Sequence, residues 1–111
     1  MVNQTNQMRV IIEDDYLAEL FNNGKASGKP RFNHDIELGF IRRVVQIQSA
    51  SNTNDLRAIK SLHFEKLTGD LDGKYSIRVN RSFRIIFTIQ KEGSNTRLEI
   101  ICIEELNNHY S

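Results

Sequence analysis

The hydrophobic repeat of this chain changes period partway along, and that change narrows the folds open to it. Ile36, Phe40, Val44 and Ile47 recur at intervals of four, four and three, the spacing that lines one face of an α-helix. Further on, Tyr75, Ile77 and Val79 alternate with Ser76 and Arg78, the period-two signature of a half-buried strand. A chain of 111 residues that is helical first and strand-rich later has room for one domain and one core. The expectation is therefore a single α+β domain over residues 1–111.

Local signals fill in the elements. Residues 1–7 are polar and read as a flexible leader, and residues 8–12 form a short β-branched run that reads as a first strand. Asp14 or Asp15 caps a helix through about Asn23, with Leu17, Leu20 and Phe21 at helical spacing. Asn22, Asn23 and Gly24 stop it, and 25–30 is a Gly/Ser/Lys turn. The longer helix runs from about Asn33 or His34 to Gln48. Residues 49–54 break the pattern, after which Asp55 caps a helical turn ending near Lys60. Asn80, Arg81 and Ser82 make a tight turn, 83–90 the next strand, 92–95 a hairpin loop and 98–103 the last strand. The sum is two N-terminal helices packed on one face of a twisted, mainly antiparallel sheet of about four strands, with 8–12 as an added strand.

Several function classes drop out on composition. No apolar run approaches the roughly 20 residues of a membrane span, and the opening residues lack the apolar core of a signal peptide. The single cysteine, Cys102, suits a reducing cytoplasm and reads as a small strand hydrophobe. Dinucleotide, Walker, CxxC and HExxH signatures are absent. His34, His63 and His109 are not spaced as metal ligands, so neither a metal nor another cofactor is expected. With 15 Lys and Arg against 14 Asp and Glu, the net charge is only +1, and charge balance by itself does not suggest RNA. The distribution is less even. Between Arg57 and Arg84 the basic residues Arg57, Lys60, Lys66, Lys74, Arg78, Arg81 and Arg84 face three acids, Glu65, Asp70 and Asp72.

That stretch contains the informative segment: Glu65-Lys66-Leu67-Thr68-Gly69-Asp70-Leu71-Asp72-Gly73-Lys74-Tyr75-Ser76-Ile77-Arg78-Val79-Asn80-Arg81-Ser82-Phe83-Arg84, followed by Ile85-Ile86-Phe87. It resembles the core of the RelE/ParE superfamily of toxins, and most closely the HigB and YoeB branch, where an L-K-G-D/N-L-x-G-x-[WY]-S-x-R pattern leads into R-[IL]-[IV]-[FY]. His109 and Tyr110 resemble the histidine–tyrosine end of the same branch. Most of the pattern also has a plain reading as scaffold: Gly69 and Gly73 as turn residues, Tyr75 and Phe83 as core aromatics, Leu67 and Leu71 as packing. The polar residues are different. If Tyr75, Ile77 and Val79 face the helices, Arg78 points to the opposite, open face. The face of Arg84 depends on the register of the 80–82 turn, and a slip of one residue reverses it.

The resemblance implies roles for these side chains. Arg84 matches the arginine that binds the scissile phosphate, and Arg78 a second basic position that supports RNA binding. Glu65 stands where YoeB-like toxins place their catalytic glutamate, a general base for a ribose 2′-hydroxyl. HigB-type relatives place a histidine close by, and His63 is two residues away, so the base is Glu65, favoured for its spacing, or His63. His109 would protonate the leaving oxygen and Tyr110 would hold the substrate. Thr68 departs from the pattern, standing where most relatives have lysine. Lys66 or Lys74 could replace that cation, with Arg81 as a further RNA contact.

The resemblance thus implies the toxin of a type II toxin–antitoxin system, a cytoplasmic, metal-free endoribonuclease that cuts mRNA on the ribosome. The implied partners are mRNA, the 70S ribosome and a cognate antitoxin, in this branch often a helix-turn-helix DNA-binding protein. Operator DNA would be reached through the antitoxin, and no membrane is involved. Two rivals differ in class: a ParE-like gyrase poison without catalysis, and a weakened toxin-fold module that only binds its antitoxin. The presence of Glu65 and of His109 with Tyr110 argues against the first, and Thr68 keeps the second open.

Overall fold

The computed structural model describes residues 8–91 and 98–108. Its elements are β1 (Arg9–Ile12), α1 (Asp15–Asn23), α2 (His34–Ser49), α3 (Thr53–Arg57), β2 (Glu65–Lys66), β3 (Tyr75–Arg78), β4 (Arg84–Lys91) and β5 (Glu99–Asn107). Each of these three α-helices begins on a side chain that satisfies an otherwise orphaned amide. Asp14 accepts from the Leu17 amide at 2.9 Å, and Asn33 from the Ile36 amide at 3.0 Å. For α3 the cap is Asn52, which accepts from the Asp55 amide at 3.1 Å. Asp55 lies inside the first turn and accepts from the Ser51 amide at 2.9 Å. The expectation that Asp55 caps is corrected: Asn and Asp are equally good caps, and only Asn52 has the extended backbone that a cap requires.

Five strands form one sheet in the order β1-β5-β4-β3-β2, one more than expected. The extra strand is Glu65–Lys66, which pairs antiparallel with Ser76 and Tyr75; two residues are too few to show a periodicity. β1 runs parallel to β5, and the remaining pairs are antiparallel. β5 continues to Asn107, past the expected end at residue 103, because a bulge opposite Ile86 and Phe87 absorbs Glu104 and lets pairing resume at Glu105. The 92–95 loop lies outside the described residues.

The helices cover one face of the sheet. Phe40, Val44 and Ile47 of α2 are wholly buried and meet Leu17 and Leu20 of α1 and the inward side chains Ile77, Ile85, Phe87, Ile101 and Ile103. Each such side chain contributes about 1.5–3 kcal/mol on burial. Two aromatic groups at the rim of this core carry the site. Phe64 packs against Tyr75 and Phe87 at centroid distances of 5.7 and 5.9 Å, which pins the chain immediately before Glu65. Phe83 stands edge-on to Phe32 at 5.9 Å and anchors the chain immediately before Arg84.

Candidate active site

The site rests on the turn between β3 and β4. The Asn80 side-chain oxygen accepts from the amides of Ser82 and Phe83, both at 2.8 Å, and the Val79 amide donates to the Phe83 carbonyl at 2.8 Å. This Asx turn sets the register that sequence left open. Arg78 pairs directly with Arg84, Ser76 with Ile86, and Glu65 with Ser76. Cross-strand partners project to the same face, and Ile77 and Ile85 point into the helix-covered core. Arg84, Arg78, Ser76 and Glu65 therefore share the other face.

That face is not open at its centre. Ser76 and Ile86 are wholly buried, and Arg84 is only 7% exposed. The Arg84 Nη1 donates to the Ser76 hydroxyl at 3.1 Å and lies 3.4 Å from Glu65 Oε1, a carboxylate whose side chain is 55% exposed. A deep guanidinium is thus bordered by an accessible carboxylate. The Nε atoms of both Arg78 and Arg84 are buried and have no hydrogen-bond partner among the described residues. Like charges set directly opposite each other in a sheet repel, and a buried donor without an acceptor is costly. An oxyanion relieves both costs at once. Such an arrangement can bind a phosphate and hold a proton acceptor beside it.

The other sequence-predicted residues distribute unevenly. Arg81 is exposed at the tip of the same turn. His63 is exposed two residues before Glu65, in the left-handed region with φ 46°, where it ends the turn Lys60–Leu62. Lys66 pairs with Tyr75, so strand alternation sets it on the face opposite to Glu65. Lys74 is joined to Glu104, the extra residue of the bulge, at 2.6 Å, and its charge is largely balanced there. The segment linking β2 to β3 turns on Gly69 and Gly73, at φ 65° and 93°, angles that exclude most side chains. Thr68 begins the one-turn helix between them. His109 and Tyr110 lie outside the described residues.

Sequence reasoning missed three contributors. Ser76 is legible as part of the motif but carries no role there; its hydroxyl accepts from Arg84 and holds it in place. Glu104 carried no signal, because only the bulge turns it toward Lys74. Arg43 of α2 donates its Nε to the Arg78 carbonyl at 3.0 Å and ties the end of β3 to the helix layer. Among the described residues no three His, Cys, Asp or Glu side chains converge as metal ligands, and no helix is long and apolar enough to cross a membrane.

Comparison with known proteins adds an independent line. A family model described as the RelE-like toxin of type II toxin–antitoxin system HigB matches residues 11–100, a span that includes Glu65, Ser76, Arg78 and Arg84. An uncharacterized protein of Haemophilus influenzae is 31% identical over 90 residues, covering 81% of this chain and 87% of that one. Toxin HigB-1 of Vibrio cholerae is 40% identical over 52 residues, 47% of this chain and 55% of its own. Among solved structures, a YoeB/ParE toxin from Agrobacterium tumefaciens superposes with a TM-score of 0.54 at 18% identity, covering 93% of this chain and all of that one. It shares the fold.

Proposed function

The chain belongs to the HigB-like family of RelE-like toxins, of the RelE/ParE superfamily and of type II toxin–antitoxin systems, and we propose that it acts as an mRNA endoribonuclease. The observation that carries this reading is the Arg84–Glu65 pair, a deep cation 3.4 Å from an accessible carboxylate, with Arg78 directly across the strands. Glu65 takes the proton from a ribose 2′-hydroxyl, whose oxygen attacks the adjacent phosphorus. Arg84, aided by Arg78, stabilises the negative charge that builds on the phosphoryl oxygens. The bond to the 5′-oxygen breaks, and that oxygen takes a proton from His109 while Tyr110 holds the substrate. The products are a 2′,3′-cyclic phosphate and a 5′-hydroxyl, and no metal enters the step.

Among the described residues around this site the exposed groups are Arg81, Lys66, His63 and the acidic Glu65, a weak attraction for RNA, and the net charge of the chain is +1. A small, weakly charged enzyme of this kind depends on its surroundings to position RNA, which supports cleavage on the ribosome, in the cytoplasm. The family supports a cognate antitoxin as the partner that holds the toxin in check. Primer extension on a defined message, translated with and without the purified chain, tests the reading. Ribosome-dependent cuts ending in a cyclic phosphate, lost on Arg84→Ala, are the expected outcome. Intact message alongside cleaved DNA would mean a gyrase poison instead, and intact message with only antitoxin binding would mean a binding module.

A further inference from the structure

At the far edge of the sheet from the site, β1 presents an unfinished ladder. It is the outermost strand, and among the described residues no strand pairs with its outer side. The Glu13 amide donates across the ladder to the Ile103 carbonyl at 2.8 Å, so the odd-numbered backbone groups of β1 face β5. Strand alternation then turns the amides and carbonyls of Val10 and Ile12 outward. In step with them, the Met8 amide donates away from the sheet, to the Ala50 carbonyl at 3.2 Å. Beside this edge runs a groove of about 460 Å³ lined by Met8, Arg9, Val10, Val45, Gln48 and Ser49. Val45 is 48% exposed there, and Ile11 is 42% exposed on the strand itself. Open edges of this kind are what proteins normally shield.

We propose that β1 pairs with β1 of a second copy of this chain, antiparallel about a twofold axis through Ile11. The sequence from Arg9 to Glu13 is self-complementary: a cation, three aliphatic residues and an anion. Backbone polarity limits the register, because outward-facing residues must pair with outward-facing residues. Setting Val10 opposite Ile12 of the second copy uses both outward-facing residues of each strand. The same register puts Arg9 opposite Glu13 of the second copy, on both sides of the axis, and Ile11 opposite itself. These are non-hydrogen-bonded pairs, in which side chains approach most closely. A slip of two residues in either direction sets Ile11 against Arg9 or against Glu13, so charge complementarity selects the central register.

The outcome is an isologous dimer with one continuous ten-stranded sheet, five strands from each copy. Because β2 is at the opposite edge, Glu65 and Arg84 stay clear of the twofold axis in both copies. A five-residue edge is well short of the roughly 1,600 Å² of a standard interface, so the association is reversible and depends on concentration. The ion pairs make it weaken with salt.

Sedimentation velocity of the purified full chain over a concentration series at low salt tests the proposal, with thermal melts to check that each variant is folded. The wild type is expected to move from monomer to dimer as concentration rises. Ile11→Lys, which sets two ammonium groups face to face, and Arg9→Glu, which sets carboxylates face to face, should each weaken association by about tenfold or more. The double substitution Arg9→Glu with Glu13→Arg restores it, since the swapped charges still meet across the axis. Overturning results are a chain that stays monomeric throughout, whether or not an extended segment of another protein adds to β1, and a dimer indifferent to Ile11→Lys or not rescued by the charge swap.

Discussion

Arg84→Ala removes the one guanidinium at the site that, among the described residues, is nearly sealed from water, with 8% of its side chain exposed. In surroundings of that kind a unit positive charge about 4 Å from a unit negative one is worth roughly 4 kcal/mol. Loss of one preorganised donor at a developing oxyanion costs about 2.7–4 kcal/mol, or 10²–10³ in kcat. Cleavage should therefore slow by about 10²–10³-fold. The structure also sets a cost to folding. Ser76, wholly buried, loses the group its hydroxyl accepts from, which costs about 1–3 kcal/mol. Removing one of two facing arginines returns part of that. A net loss of about 1 kcal/mol lowers the melting midpoint by roughly 4–8 °C, a shift that thermal melts read directly. Arg84→Lys keeps the charge but not the forked donors and should fall between the two. The assay is single-turnover cleavage of a ribosome-bound message, with thermal melts of each variant alongside. A folded Arg84→Ala chain that cleaves within about tenfold of wild type, under 1.4 kcal/mol of barrier, would refute the reasoning.

Other outcomes follow from single contacts. Glu65→Gln should cost about 10²–10⁴-fold in cleavage while His63→Ala leaves the rate nearly unchanged; the reverse ranking would make His63 the base. Gly39→Ala gains about 0.8–1 kcal/mol of helix propensity, but its Cβ meets Val79 Cγ1 at 2.7 Å. Overpacking costs about 1–3 kcal/mol, so denaturant unfolding should show a net loss that Val79→Ala in the same chain reduces. Asp14→Ala removes the α1 cap and its 2.5 Å pair with Arg31, at about 0.5–2 kcal/mol near neutral pH. Burial works against the Asp14 carboxylate, but the Leu17 amide and Arg31 more than offset it and hold its pKa below the usual 3.8. That stabilisation is present above the unfolded pKa and disappears as pH falls through the lower native one, so the gap between wild type and Asp14→Ala should close in acid. Burial, with the nearby charges of Glu13 and Glu104, raises the Cys102 thiol pKa against the opposing Thr88 hydrogen bond. Native chain should react with a disulfide reagent far more slowly than unfolded chain.

Long, strongly periodic segments were legible from sequence alone. Ile36, Phe40, Val44 and Ile47 can be buried together only on a helix, and Tyr75, Ile77 and Val79 only on a strand; both elements and the α+β class follow. The motif from Glu65 to Arg84 is dense enough to indicate the family before any coordinate is known. What sequence could not supply is geometry set by single hydrogen bonds and by register. Asn52 rather than Asp55 caps α3 because of a backbone angle. Glu65–Lys66 becomes a strand only because Phe64 locks it beside Tyr75. Glu104 meets Lys74 only because a bulge turns it. Above all, Arg84 could have occupied either face of the sheet until the Asn80 turn fixed Arg78 opposite it. A strand has period two, so a shift of one residue in that turn would have buried the cation among the helices. Sequence determined which side chains this protein has for its chemistry; the tertiary register decided that they meet.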